Sequence, residues 1–183
     1  MPAPPLTTSE YFSKPETLYP QELVYGLVRD APAPTPGHQW VVGEVFAALR
    51  AHLQQHDIGR LWMAPIDVVL DADRHLVVQP DIIVVSNTRL HIVTDCVRGA
   101  PDLVIDVLSP RPRIGRLDER LAWFARYGVR ECWLVHQSVR QIELLQFVDG
   151  GIANRQLLLP DEQIRSVILP QFDRSGASML EAR

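Results

Sequence analysis

Ala100-Pro101-Asp102-Leu103-Val104-Ile105-Asp106-Val107-Leu108-Ser109-Pro110 reads as a buried strand that carries acids. Its apolar run, bounded by prolines, is the pattern of a strand covered on both faces. A carboxylate there is costly unless it is paired or binds a metal. The same conflict recurs upstream in Pro80-Asp81-Ile82-Ile83-Val84-Val85. Two such strands side by side, sharing one divalent cation between their acids, would resolve both conflicts together. Acids that cap strand ends or pair with arginine are the alternative.

Strand parity makes the first reading specific. Side chains at i and i+2 share a face. Gln79, Asp81 and Ile83 therefore face one way, and Asp102, Val104, Asp106 and Leu108 share one face of the later strand. Pairing with Asp81 near Asp106 brings two carboxylates to one side of a sheet. Like charges that close repel strongly at low dielectric. Mg²⁺ or Mn²⁺, which prefer oxygen ligands, would relieve the repulsion.

Outward from these strands, the pattern is helix, strands, helix, strands. Residues 1–20 are rich in Pro, Ser and Thr and are expected to form a flexible segment over the surface. Gln21–Val28 reads as one strand, and the prolines of 31–37 as a loop. Val41, Val42, Val45, Phe46, Leu49 and Leu53 give His38–Gln55 the spacing of an amphipathic helix. Strand signals follow from Trp62 to Leu70, a turn at 71–74, and a strand from His75 to Val85. After the polar loop 87–99 come the strand Asp102–Leu108, a helix Leu117–Tyr127 closed by Gly128, and a strand Glu131–Val135. Asp149-Gly150-Gly151 joins Gln141–Val148 to Ile152–Leu159 as a hairpin. This predicts an α/β or α+β fold with one mixed sheet, in a single domain over 21–175 followed by a tail at 176–183.

The composition bounds the function. The chain has 183 residues and a net charge of -4, which does not mark an overall nucleic-acid binder. The charge is uneven, however. Arg111, Arg113, Arg116, Arg120, Arg126 and Arg130 share their stretch with only Asp118 and Glu119 as acids. Such a run is commonly a solvated face, but beside an acidic site it suits a phosphate track. No apolar run is long enough to span a membrane, and the N-terminus lacks a signal-peptide pattern, so a cytoplasmic location is expected. Cys96 and Cys132 fit no metal-binding spacing and read as buried, reduced thiols. Of the 18 Lys and Arg residues, only Lys14 is a lysine.

Pro80-Asp81 before an apolar strand, the Ala100–Pro110 stretch, the helix after it and Gly128-Val129-Arg130-Glu131-Cys132-Trp133-Leu134-Val135 together resemble the Uma-type branch of the PD-(D/E)XK nuclease superfamily. Pro34-Thr35-Pro36-Gly37-His38-Gln39-Trp40-Val41-Val42 fits the same family. The resemblance runs from about Gln21 to Phe172. It implies a restriction-endonuclease-like mixed sheet flanked by helices, and metal-dependent hydrolysis of phosphodiester bonds in DNA. Carried over by position, it implies Asp81 and Asp106 as metal-binding acids, with Mg²⁺ or Mn²⁺ as cofactor, and Glu44 as a further acid. Arg120 stands where the family usually has a lysine, and would contact the scissile phosphate; a pair with Asp106 or Glu119 is the alternative. Arg113, Arg116 and His38 are candidate substrate contacts. Cutting a duplex needs two sites, which implies a homodimer.

Two positions depart from the family pattern. Asp106 replaces the usual Glu, which shortens the arm by one methylene. Arg120 replaces the lysine. A buried lysine can lose its proton, whereas arginine stays charged. Arg120 is thus poorly suited to be a general base. The competing expectation is a nuclease-fold protein that binds nucleic acid or another partner and has lost catalysis.

Overall fold

The computed structural model describes residues 5–15, 20–31, 33–108 and 117–180. Within them the chain builds two mixed sheets rather than the single one expected. The larger has the order β11-β10-β9-β8-β6-β3 and the smaller β2-β1-β5-β4-β7. The larger comprises β3 (Gly59–Met63), β6 (Ile82–Ser86), β8 (Leu103–Leu108), β9 (Glu131–His136), β10 (Gln141–Val148) and β11 (Gly151–Leu158). The smaller comprises β1 (Gln21–Val24), β2 (Leu27–Asp30), β4 (Val68–Asp71), β5 (Leu76–Val78) and β7 (Val97–Arg98).

Two prolines account for the difference. The stretch read as one strand from Trp62 to Leu70 breaks around Pro65, leaving β3 in the large sheet and β4 in the small one. The stretch His75–Val85 breaks at Pro80 between β5 and β6, and the chain crosses back. Proline has no N–H to give a ladder and is excluded from strand interiors. Gln21–Val28 is likewise not one strand. It is the β1–β2 hairpin, turned by Tyr25 and Gly26 at φ 51° and 84°. Two positive φ values in a two-residue loop match the twist of the flanking strands.

The large sheet is covered on one face by α2 (Pro36–His56) and α4 (Gly176–Leu180). Val41, Val42, Val45, Leu49 and Leu53 of α2 pack there against Ile105, Val107, Trp133 and Val135. On the other face α3 (Leu117–Tyr127) and the inner side of the small sheet enclose Ile83, Val104, Leu121, Phe124 and Leu134. Leu23, Val69, Val77 and Cys96 form a third cluster on the outer side of the small sheet. The N-terminal segment closes that cluster. α1 (Thr8–Phe12) is held by a capping box between Thr7 and Glu10, and Leu6 and Tyr11 pack on the apolar residues beneath. Within 1–20, therefore, the described residues dock on the fold because they carry apolar side chains that need cover. The tail does so as well: Met179 and Leu180 are buried against α2 and the large sheet. Among the described residues no helix is long and apolar enough to cross a membrane.

Gly59 opens β3 because β6 runs so close. A Cβ there would lie 2.6 Å from the carbonyl oxygen of Val85. That close approach fixes the pairing of β3 with β6, whose first residue follows Asp81 directly.

Candidate functional site

β6 and β8 are antiparallel neighbours with Ile82 opposite Ile105 and Ile83 opposite Val104. One step further along this register, Asp81 stands opposite Asp106. The parity argument thus places the two acids together at the end of a buried strand pair. Asp81 donates its backbone N–H toward Asp106 Oδ1 at 3.4 Å, and Val107 N–H donates to Asp81 Oδ2 at 2.7 Å. These cross-strand bonds hold the carboxylates side by side where the chain leaves the small sheet for the large one.

Arg120 fills the space beside them. It lies on the buried stripe of α3 with Leu121 and Phe124 and is 3% exposed. Its Nε donates to Asp106 Oδ2 at 2.7 Å and its Nη1 to Glu22 Oε1 at 2.6 Å. Burial alone would lower its pKa, but Asp106 and Glu22 more than offset that and push it up. The guanidinium is thus a permanent cation clamped by two carboxylates. The alternative pairing with Asp106 is the one formed, while Glu119 pairs with Arg29 at 3.7 Å. A direct phosphate contact by Arg120 is not what this placement offers, because both arms of the fork are engaged by acids.

Glu22 is the residue that sequence reasoning missed. It shares strand parity with Val24, whose side chain enters the core between the two sheets. Glu22 therefore points inward toward α3. Its Oε1 also accepts the Gln79 backbone N–H at 2.8 Å. The signal was available in principle, since Glu22 is another acid inside a short apolar strand. Its partner, however, lies 98 residues downstream.

His38 enters from the first turn of α2. Thr35 caps that helix and accepts the His38 N–H at 3.2 Å. The His38 ring is buried, with Nε2 at 3.1 Å from the Val107 carbonyl oxygen and 3.3 Å from Asp81 Oδ2. The bond to Asp81 raises the pKa of the ring against the opposing effect of burial. His38 thus meets Asp81 and β8, and is turned away from open solvent.

Two other expectations fare differently. No hydrogen bond or ion pair among the described residues joins Glu44 to the site. It sits six residues past His38 on α2, roughly 9 Å along the helix axis and on another side of it. Glu22, not Glu44, is the third acid of the cluster. Arg113 and Arg116 lie outside the described residues.

Asp102 begins the same stretch as Asp106 but does different work at the opposite end of β8. It is 0% exposed, accepts Ser86 N–H at 2.8 Å and faces Arg89 at 3.2 Å. Burial by itself raises the pKa of its carboxyl, yet the Ser86 N–H and the Arg89 charge outweigh it and leave the pKa lowered. A lowered folded pKa contributes stability above the unfolded pKa, about 4, that is lost as pH falls through the folded value. Asp102→Asn should therefore cost about 2 kcal/mol at neutral pH, the scale of charged hydrogen bonds. The gap from wild type should narrow as pH drops below about 4. Urea denaturation of both proteins across that range measures it; a gap independent of pH would contradict the assignment.

The donor set can be tested for a divalent cation. Asp81 Oδ2 takes two protein donors, whereas Asp81 Oδ1 takes none among the described residues. Glu22 Oε1 takes two, whereas Oε2 takes none. Asp106 Oδ1 has only long contacts, at 3.4 and 3.5 Å. Each acid thus keeps an oxygen with spare capacity among the described residues, and two of the three carboxylates, Asp106 and Glu22, share the one guanidinium. No three His, Cys, Asp or Glu side chains among the described residues are disposed around one point for a metal. A small hard ion that keeps most of its waters and takes one or two carboxylates fits this set.

A family model described as "Uma2: Putative restriction endonuclease" matches residues 8–178. A crystal structure of "a putative nuclease belonging to DUF820" from Anabaena variabilis aligns with a TM-score of 0.80 at 17% identity, covering 96% of this chain and 98% of that one. No curated protein matches the chain.

Proposed function

Since the chain belongs to the Uma2 family of restriction-endonuclease-like proteins, we propose that it is a metal-dependent nuclease hydrolysing phosphodiester bonds in DNA. The observation that carries this reading is the meeting of Asp81 and Asp106 across β6 and β8, each with an oxygen left for a ligand. Asp81 and Asp106 would hold Mg²⁺ or Mn²⁺. Bound there, the ion would lower the pKa of a water and offset charge developing on the phosphate.

The chain's own residues account for the rest. Arg120 fixes Asp106 through Nε and balances the acid cluster, acting as a positioning residue. It cannot serve as general base, because arginine stays protonated. Glu22 anchors Arg120 through Oε1, and its Oε2 takes no donor among the described residues; its side chain is 17% exposed. Arg113 and Arg116 would bind the DNA backbone, since phosphate contacts supply most non-specific affinity. Two sites acting on two strands make a homodimer the working assembly. The buried free thiols Cys96 and Cys132 suit a reducing, cytoplasmic setting.

A second reading has one observation in its favour: the lysine position holds an arginine already neutralised by Glu22 and Asp106. On that reading the protein binds nucleic acid without cutting it.

The test is nicking of supercoiled plasmid in Mg²⁺ or Mn²⁺, with EDTA as control, by wild type and Arg120→Lys. Cleavage by wild type that EDTA abolishes and Arg120→Lys raises supports a site limited by its arginine. Cleavage by Arg120→Lys alone marks a decayed nuclease. Intact plasmid in both, with DNA binding that persists in EDTA, favours the binding protein.

A further inference from the structure

The bonds around His38 determine more than its location. Both atoms within reach of Nε2, the Val107 carbonyl oxygen and Asp81 Oδ2, can only accept. A bare ring nitrogen would face two lone-pair donors there, so Nε2 must carry the hydrogen. A nitrogen bearing that hydrogen has no lone pair for a metal. His38 is only 8% exposed, which leaves it little access to a substrate.

We infer that His38 is a positioning residue, an Nε2–H clamp that fixes Asp81 and the Val107 carbonyl relative to each other. The inference rests on the metal-site reading for its consequence, though not for its geometry. Asp81 lies between Pro80 and the first residue of β6, and its side chain is 19% exposed, so the ladder of β6 and β8 does not by itself hold the carboxylate. Two donors do. Val107 N–H comes from β8, and His38 Nε2–H comes from α2 on the opposite layer. Together they load Oδ2 and leave Oδ1 as the oxygen available for a cation. The first turn of α2, set by the Thr35 cap, thereby sets the orientation of an acid on the sheet. Hydrogen-bond partners of this kind commonly tune the affinity of a metal-binding carboxylate.

Two measurements test the clamp. The first needs no metal: long-range ¹⁵N–¹H spectra of the wild-type imidazoles, taken at alkaline pH where the ring is neutral. The Nε2–H tautomer at His38 is expected; the Nδ1–H tautomer would overturn the inference. The second is Mn²⁺ uptake followed by electron paramagnetic resonance in wild type, His38→Gln and His38→Phe. Glutamine places an N–H donor where Nε2 stands, and phenylalanine keeps the ring without one. Affinity within about threefold of wild type is expected for His38→Gln and a loss of tenfold or more for His38→Phe. Equal affinity in all three, or equal loss in both variants, would overturn the clamp. If His38→Phe does not fold, His38→Gln and the tautomer decide. If wild type takes up no Mn²⁺, the metal-site reading fails, and the tautomer alone upholds or overturns the clamp.

Discussion

Replacing Arg120 by methionine should destabilise the protein by about 3–5 kcal/mol, the cost of breaking a buried ion pair from one side. The guanidinium is 3% exposed and bridges Asp106 and Glu22, so its loss strands two carboxylates at once. Asp106 is the worse placed, its side chain being 4% exposed. Methionine fills a similar volume along the stem, so cavity formation contributes little and the change reports on charge. In a chain of 183 residues, such a loss should lower Tm by roughly 10 °C. Adding Glu22→Gln to Arg120→Met should recover part of it, because one stranded charge is removed, and the double-mutant cycle should be non-additive. A loss under about 1 kcal/mol would mean that water reaches Asp106 and that the cluster is not buried as described.

The largest functional effect is expected at Asp81. Asp81→Asn keeps the side chain's shape and an oxygen able to accept the Val107 N–H, so folding should be nearly unaffected. It removes the negative charge with a spare oxygen beside the solvent. If the protein cleaves DNA, the rate should fall about 10²–10³-fold, the scale of losing one preorganised electrostatic group in an active site. Mn²⁺ affinity should fall in parallel while Tm moves by only a few degrees. Cleavage by Asp81→Asn within tenfold of wild type would remove Asp81 from the site. This contrast with Arg120→Met separates the roles, since one variant loses chemistry with its stability nearly intact and the other loses stability.

Much of the site was legible because β-strand geometry is periodic. Parity within two short segments was enough to bring Asp81 and Asp106 to one side, and the register of β6 on β8 agrees. The same logic does not reach Glu22, Arg120 and His38, which come from β1, α3 and α2. Their meeting depends on how layers stack. Glu44 shows the converse. The family resemblance implies it as a further acid, but rotation about the helix carries it away from the face that His38 presents to the site.

The sequence by itself determined the alternation of elements, the buried strand pair and the two acids that burial alone would not tolerate, because apolar periodicity and carboxylate desolvation are local properties. Only the tertiary structure decided that there are two sheets, that Glu22 rather than Glu44 is the third acid, and that Arg120 is held by carboxylates. Prolines at 65 and 80 end each strand locally, but which sheet the chain enters next is settled by packing across the whole fold. Charge pairing in the interior is likewise settled by proximity: a buried arginine takes the carboxylates that the stacked layers bring within reach.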